Sequence, residues 1–312
     1  MRSQITLISL LCICFMAQAQ EYALGSLGEK ADCGIALEGN NIIKMPKASF
    51  SSADATWTYP FPLFPIYSEN QSISGNILCH DRLAGSEARV SISGFDIFDL
   101  LSDNLTMDNQ NMDNLTVVKS SSQIRLNSTG DGRFALEGVP SGLYTIKAVD
   151  DLNSTVIATT PALIAKGEIA MDFPSRIKAG DILQLDIETP SAWGNVSKIF
   201  GAIMVYGQDY ETAKINLTAN DTVDSLQTTI AIGDKSMQVN GMPRVSTELL
   251  MNLLTILPQN SAIAMQESTS EKVELYLFTD PALSKGEYVL TCAVYAPGSG
   301  LMGLRQGTVE VE

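Results

Sequence analysis

The stretch Gly130–Ala148, GDGRFALEGVPSGLYTIKA, constrains the fold of this chain more than any other. Its Asp131-Gly132 dipeptide suits a tight hairpin turn. Apolar side chains recur at every second position from Phe134 to Leu136 and again from Tyr144 to Ala148. This period of two predicts two half-buried strands, and the glycines and proline between them predict a turn. Because the apolar face of such strands needs a partner sheet, a β-sandwich is expected.

Similar segments lie upstream of this stretch. Ser72–Asp81 and Ala88–Gly94 predict two strands, and Ile124–Asn127 predicts a third before the GDGRF turn. Together with Gly130–Ala148 they resemble the carboxypeptidase-regulatory-like domain, a small transthyretin-type sandwich. The resemblance implies such a domain over residues 72–173. The long insertion 95–122 departs from the family pattern and, being polar and repetitive, is predicted to be a mobile loop.

The rest of the chain predicts a second sandwich. Pro174–Gly180, PSRIKAG, has the composition of a domain boundary. Many short strands with regular turns follow, which favours an Ig-like sandwich over residues 174–312. One leucine stripe at helical spacing predicts a short helix over Ser246–Leu257. The predicted fold is therefore all-β, with two tandem β-sandwich domains.

The first 19 residues predict export. Arg2 precedes the short apolar run Ile5–Met16, and Ala17-Gln18-Ala19 has the form of a signal-peptidase site. We expect a signal peptide over residues 1–19, cleaved after Ala19. No other stretch is apolar and long enough to span a membrane, so an extracellular or cell-surface location with no transmembrane anchor is predicted.

Residues 20–71 contain a segment rich in aromatics and proline. Trp57–Tyr67 reads WTYPFPLFPIY, and its three prolines favour an extended strap rather than a central strand. Two interpretations stay open: the aromatics pack on the next domain, or they form a platform for sugars or a docking peptide. The candidate carbohydrate contacts of the chain are Trp57, Tyr59, Trp193 and Tyr206.

Asn-Xaa-Ser/Thr sequons are dense in this sequence. Half of the asparagines lie in one, and in an exported protein each such asparagine is a candidate glycan acceptor. The candidate glycosylation sites are Asn70, Asn104, Asn114, Asn127, Asn153, Asn195, Asn216 and Asn220.

Three cysteines remain after removal of the signal peptide: Cys33, Cys79 and Cys292. Because the number is odd, at least one is unpaired or pairs between chains. A Cys33–Cys79 disulfide, which would tie the N-terminal segment to the first predicted strand, is one candidate. The spacing fits no zinc motif.

Composition and motifs argue against catalysis. The chain carries 35 acidic and 20 basic residues, which disfavours nucleic acid as a partner. His80 is the only histidine, and no G-x-S-x-G elbow, P-loop or dinucleotide fingerprint occurs. Asp103, Asp108 and Asp113 recur every five residues, which is not the ligand spacing of an EF-hand. We therefore expect no enzyme, no cofactor and no metal.

Two segments resemble a family of extracellular proteins of methanogenic archaea, of the Methanosarcina type: PFPLFPIYSENQSISG at 60–75 and GEYVLTCAVYAPGSGLMGL at 286–304. The resemblance implies location rather than activity. Three hypotheses follow. The first is a non-catalytic secreted or cell-surface glycoprotein that contacts cell-envelope proteins or glycans. The second is a carbohydrate-binding module, and the third is an accessory subunit of a surface enzyme or transporter.

Overall fold

The computed structural model describes residues 33–44, 47–51, 56–58, 63–69, 71–79, 83–94, 117–218, 227–232, 234–240, 256–296 and 299–312. Within these ranges the protein is an all-β sandwich protein, as the sequence predicts. The described residues form two compact units, which we call the first sandwich (described residues within 33–42 and 64–166) and the second sandwich (described residues within 43–63 and 167–312).

The strands run in chain order with few helical interruptions. They are β1 Gly34–Glu38, β2 Asn41–Lys44, β3 Lys47–Ser51, β4 Thr56–Thr58, β5 Leu63–Ser68, β6 Ile73–Leu78, β7 Glu87–Gly94, β8 Val117–Arg125, β9 Gly132–Leu136, β10 Gly142–Asp150, β11 Thr155–Ala165, β12 Ala170–Asp172, β13 Arg176–Ile177, β14 Ile182–Glu188, β15 Lys198–Tyr206, β16 Lys214–Thr218, β17 Gln227–Ile232, β18 Lys235–Asn240, β19 Ser261–Ser268, β20 Lys272–Phe278, β21 Gly286–Ala296 and β22 Gly300–Val311. A 3-10 helix at Ser191–Trp193 and helix α1 at Gly207–Thr212 flank β15.

The first sandwich packs a three-stranded sheet, β1-β6-β9, with a six-stranded sheet, β2-β5-β11-β10-β7-β8. The side chains of the strands predicted from sequence form its core. Ile73 and Ile77 of β6, Phe134 of β9, and Ile146 and Ala148 of β10 are all 2% exposed or less. Local alternation therefore identified the core positions correctly.

The turn chemistry around β9 differs from the prediction. Asp131-Gly132 does not close a hairpin, because β8 belongs to the six-stranded sheet and β9 pairs with β6 in the other sheet. Gly132 is already the first residue of β9, and Gly130 takes the positive φ, 82°. The segment Gly138–Gly142 likewise crosses from one sheet to the other. The apolar faces of β9 and β10 thus meet across the core instead of lying side by side.

The predicted N-terminal segment 20–71 is divided between the two units. β1 pairs with β6 from Gly34↔Leu78 to Glu38↔Ser74 and completes the first sandwich. β3 and β4 instead join β16, β17 and β18 in a five-stranded sheet that belongs to the second unit. The described part of the segment 20–71 is therefore divided between both units.

The prediction that the Pro/aromatic run is excluded from a sheet interior is wrong for β5. This strand contains Pro65 and lies between β2 and β11. Pairing with β11 covers Ile66 to Ser68, beyond the proline, so the missing N–H of Pro65 does not interrupt that ladder. Phe64 and Tyr67 are buried, and the Tyr67 hydroxyl donates to the Glu38 carbonyl oxygen at 2.8 Å. At these positions the aromatics pack into the sandwich, which was one of the two open interpretations.

The second sandwich packs the sheet β12-β14-β20 with the sheet β13-β22-β21-β15-β19. Its core includes Leu183 and Leu185 of β14, Leu277 of β20, and Tyr288 and Leu290 of β21. Of the predicted helix Ser246–Leu257, residues 246–255 lie outside the described residues. So do the predicted signal peptide 1–19 and residues 95–116 of the insertion.

A Gly-Xaa-Tyr motif opens one central strand in each sandwich. β10 begins at Gly142 and β21 at Gly286, with φ of 155° and 136°, and Tyr144 and Tyr288 are buried two residues later. The Tyr288 hydroxyl donates to the carbonyl oxygen of Ser284 at 2.9 Å. A tyrosine that bonds backward to a nearby backbone carbonyl is also a feature of tyrosine corners in Greek-key sandwiches.

Candidate functional site

Three described sequon asparagines are exposed, and all three lie outside the strands. Asn127 precedes β9, Asn153 lies in the turn between β10 and β11, and Asn195 lies before β15. Asn216 differs, because it is half-buried within β16, where its backbone pairs with Ser49 of β3 and Thr229 of β17. The other four candidates, Asn70, Asn104, Asn114 and Asn220, lie outside the described residues.

The Asn127 side chain organises the turn before β9 through its oxygen. Oδ1 of Asn127 accepts the backbone N–H of Thr129 and of Asp131, each at 2.9 Å, and the Thr129 hydroxyl at 2.7 Å. None of these bonds uses the amide nitrogen, which is the atom that carries a glycan. Asp131 extends the network, since its Oδ1 accepts the backbone N–H of Cys79 at 3.2 Å.

The turn at Asn153 is held differently. Asp150 is 3% exposed, and its carboxylate accepts the Leu152 N–H at 3.1 Å and the Asn153 amide Nδ2 at 2.8 Å. Ser154 takes the left-handed conformation, with φ of 53°. The amide nitrogen of Asn153 is thus already engaged in the fold, unlike the pattern at Asn127.

Cys33 and Cys79 form a disulfide, the pairing considered from the sequence, with a Cα–Cα distance of 4.3 Å. The bond joins the residue before β1 to the residue after β6. Disulfides persist in oxidising compartments, so this bond is compatible with an extracellular location. Cys292 is a free, fully buried thiol, and burial raises its pKa to about 12. The thiol is therefore neutral near pH 7 and is a core side chain rather than a nucleophile.

The candidate sugar contacts do not form one platform in the described structure. The indole of Trp193 is half-buried against the second core and lies 3.2 Å from where a Cβ on Gly303 would stand. The ring of Tyr206 packs on that of Tyr288, with centroids 5.2 Å apart. Gly303, which Trp193 covers, is the Cα partner of Val294, and Val294 is the Cα partner of Phe200. Phe200 lies six residues before Tyr206 along β15. Trp193 and Tyr206 are therefore separated by about 20 Å along the strand. Trp57 lies in β4 opposite Phe50, and Tyr59 lies outside the described residues.

Sequence reasoning missed an exposed patch on the second sandwich, which we call the outer face of the β12-β14-β20 sheet. Strands β14 and β20 alternate strictly between buried and exposed residues. Ile182 is 53% exposed, and its Cα partner in β20 is Phe278, which is 72% exposed. Tyr276, two residues before Phe278 on the same face, is 43% exposed. The segments DILQLDIE and KVELYLF contain a signal for this patch. Ile182, Tyr276 and Phe278 occupy positions of the alternation that are otherwise polar.

Carboxylates cross the same face in a row. Asp186 of β14 has Asp172 of β12 as its Cα partner on one side and Glu274 of β20 on the other. The Tyr276 hydroxyl donates to Glu274, and this hydrogen bond is the main cause of a raised Tyr276 pKa. One cation on the face, Lys272, pairs with Glu188 at 3.1 Å. The face therefore combines an apolar and aromatic end with an acidic middle.

Groups that could support catalysis do not converge in the described residues. No cluster of three or more His, Cys, Asp or Glu side chains suited to a metal ion occurs among them. His80 lies outside them. Burial lowers the pKa of Lys147 on β10 of the first sandwich. In the second sandwich, desolvation followed by the charge of Asp234 raises the pKa of Asp209 on α1. The expectation that the protein is not an enzyme stays a prediction. Over the same described ranges, no helix has the length and apolarity needed to cross a membrane.

Comparisons with known proteins leave the family open. No protein-family model matches the chain, and no curated protein matches it either. Among solved structures, a crystal structure of red sea bream transglutaminase is similar with a TM-score of 0.29 and 9% sequence identity. The similarity covers 80% of this chain, which spans 30% of that one. A TM-score this low carries no argument about fold or activity.

Proposed function

We propose that the protein is a non-catalytic, secreted or cell-surface glycoprotein that mediates contacts in the cell envelope. The observation that carries the proposal is the position of Asn127 and Asn195, which are exposed and lie outside the strands. An enzyme that attaches glycans needs an accessible side-chain amide on an exposed loop. A stable sandwich that offers several such loops can carry glycans without disturbing its core.

Four further features support the proposal. The Cys33–Cys79 disulfide suits an exported protein, and residues 1–19 have the pattern of a signal peptide cleaved after Ala19. The resemblance to extracellular proteins of methanogenic archaea, and to carboxypeptidase-regulatory-like domains, supports the location. The acidic composition disfavours nucleic acid as a partner.

Two other functions rank behind this one. For a carbohydrate-binding module, Trp193 and Tyr206 each pack against the second core, so neither stands free as a stacking ring. Loss of polysaccharide binding by Trp57→Ala and Trp193→Ala variants that still fold would move that function to first place. An accessory subunit of a surface enzyme or transporter would require a stoichiometric partner in mild detergent extracts.

The test is the distribution of the native protein between culture medium and washed envelopes, with the intact mass measured in both fractions. We expect retention on the envelope and a mass above that of residues 20–312. Glycopeptide mapping should find glycans at Asn127 or Asn195, and none at Asn216, which is half-buried within a strand.

Asn195→Gln and Asn216→Gln form a matched pair for this test. The first variant should lose one glycan mass if that sequon is used, and the second should leave the mass unchanged. An unmodified protein located in the cytoplasm would contradict the proposal.

A further inference from the structure

The outer face of the β12-β14-β20 sheet concentrates exposed hydrophobic area. Three of the nine exposed large hydrophobic side chains in the described part of the chain lie on it: Ile182, Tyr276 and Phe278. Ile182 and Phe278 are direct partners across antiparallel strands, which brings their Cβ atoms to about 5 Å. Tyr276 is on the same face of the same strand as Phe278, about 7 Å away. A contiguous apolar patch rimmed by polar groups is characteristic of interaction sites.

The acidic row beside this patch costs stability within the isolated sheet. Asp172, Asp186 and Glu274 are exposed and stand directly opposite one another across three strands. Like charges placed directly opposite are destabilising. The nearest cation described on this face, Lys272, is paired with Glu188 instead. A cationic group from outside the chain would offset this repulsion. The negative charge of the row therefore favours a positively charged ligand.

We propose that this face docks a basic segment of a partner protein, with an apolar side chain of the partner against Ile182 and Phe278 and Lys or Arg side chains beside Asp186 and Glu274. Aromatic anchors next to complementary charge are the common composition of binding hot spots. The ring of Tyr276 lies between the two subsites, where it can stack on an Arg or Lys side chain whose charge pairs with Glu274. The inference rests on the proposed function, because it assigns the envelope contact to one face.

The charge of this face favours a basic protein segment over two other possible partners, a second copy of the chain and a neutral glycan. A second copy of the chain would bring the same acidic row against itself, and the whole chain carries a formal charge of −15. A neutral glycan would use the aromatic rings but would bring no positive charge to the three carboxylates, two of which already accept hydrogen bonds from the neutral side chains of Gln184 and Tyr276. A basic protein segment satisfies both parts of the face.

The test measures the binding of purified protein to washed envelopes from the cells that produce it. Phe278→Ser and Tyr276→Ser alter the aromatic subsite, and Asp186→Asn with Glu274→Gln neutralises the acidic row. Leu152→Ser is the matched control, since Leu152 is 81% exposed but lies in the β10–β11 turn of the first sandwich. All four substituted side chains of the face are exposed, and unchanged thermal unfolding verifies that the variants fold.

We expect the two aromatic variants to bind at least about tenfold more weakly than the wild type, and the control to bind equally well. The charge variant should also bind more weakly, and its binding should depend less on salt. Protease treatment of the envelopes should abolish binding by the wild type, whereas periodate oxidation of their glycans should not.

Each contrary result overturns the inference in a distinct way. Equal binding by the wild type and the face variants would exclude this face as the binding site but leave the proposed function intact. Sensitivity to periodate and not to protease would make the partner a glycan. A wild-type dimer that Phe278→Ser dissociates would make the face a contact between copies. Absence of any envelope binding would overturn the proposed function and the inference together.

Discussion

Removal of the Cys33–Cys79 disulfide should destabilise the first sandwich by about 4 kcal/mol. The bond joins residues 46 positions apart in the sequence. In the chain-entropy treatment, closing a loop of this length removes about 13 to 14 cal/mol/K from the unfolded chain, which is about 4 kcal/mol at 25 °C. The native geometry should persist, because β1 remains paired with β6 from Gly34↔Leu78 onward. The loss is therefore expected in the stability of the unit and not in its structure.

The assay compares the wild type with a Cys33→Ser/Cys79→Ser variant by thermal unfolding. For a unit of this size, a loss of about 4 kcal/mol lowers the Tm by on the order of 10 °C. Both proteins are prepared without residues 1–19, so that Cys292, buried in the second sandwich, is their single thiol. Its labelling therefore reports on the unfolding of that unit. Labelling by a thiol reagent should begin at the same temperature in both proteins. A destabilisation below about 1 kcal/mol, or an equal shift of both transitions, would refute the reasoning.

Two further predictions concern the second sandwich. Burial raises the pKa of Cys292 and of Tyr288 to about 12, above their ordinary values of 9.0 and 10.0. Because the fold favours the neutral forms of both side chains, their contribution to stability is complete below about pH 9 and is lost as the pH rises towards 12. The urea midpoint of the wild type should therefore fall over that range. It should fall less steeply in Cys292→Ala, which lacks one of the two groups. Gly286→Ala should cost about 1 to 3 kcal/mol, since φ is 136° and the new Cβ would lie 3.1 Å from the Tyr206 ring. Gly34→Ala, which meets nothing within 4 Å, should change the urea midpoint little, and equal effects of the two substitutions would contradict the strain argument.

The sequence was sufficient to locate several strands of the first sandwich. Alternation of apolar and polar residues depends on the burial of one face, which is a local property of each strand. For this reason Ile73–Leu78, Gly132–Leu136 and Gly142–Asp150 lie where the pattern predicts strands. The Gly-Xaa-Tyr pattern also marked the start of a central strand in each sandwich.

Strand partners could not be predicted in the same way, because pairing is a non-local property. The GDGRF turn has the chemistry of a hairpin, yet β8 and β9 belong to different sheets. Nothing local distinguishes a turn within one sheet from a crossing between two. The same limit applies to β3 and β5, which are close in sequence but join different units. Pro65 argues against an interior strand, but it lies just before the residues of β5 that pair with β11, so its missing N–H does not disrupt that pairing.

The candidate site was the least accessible to sequence reasoning, because it depends on register. Alternation alone places Ile182 in the outward phase of β14 and Phe278 in the outward phase of β20, but only the pairing brings them together. The same register sets Asp186 opposite Glu274. An isolated exposed isoleucine or glutamate needs no explanation, since such residues are common on protein surfaces. The pairing brings these separate exposed residues into one surface with an apolar end and an acidic middle. This is why a contact function can be proposed for that face and tested with single substitutions.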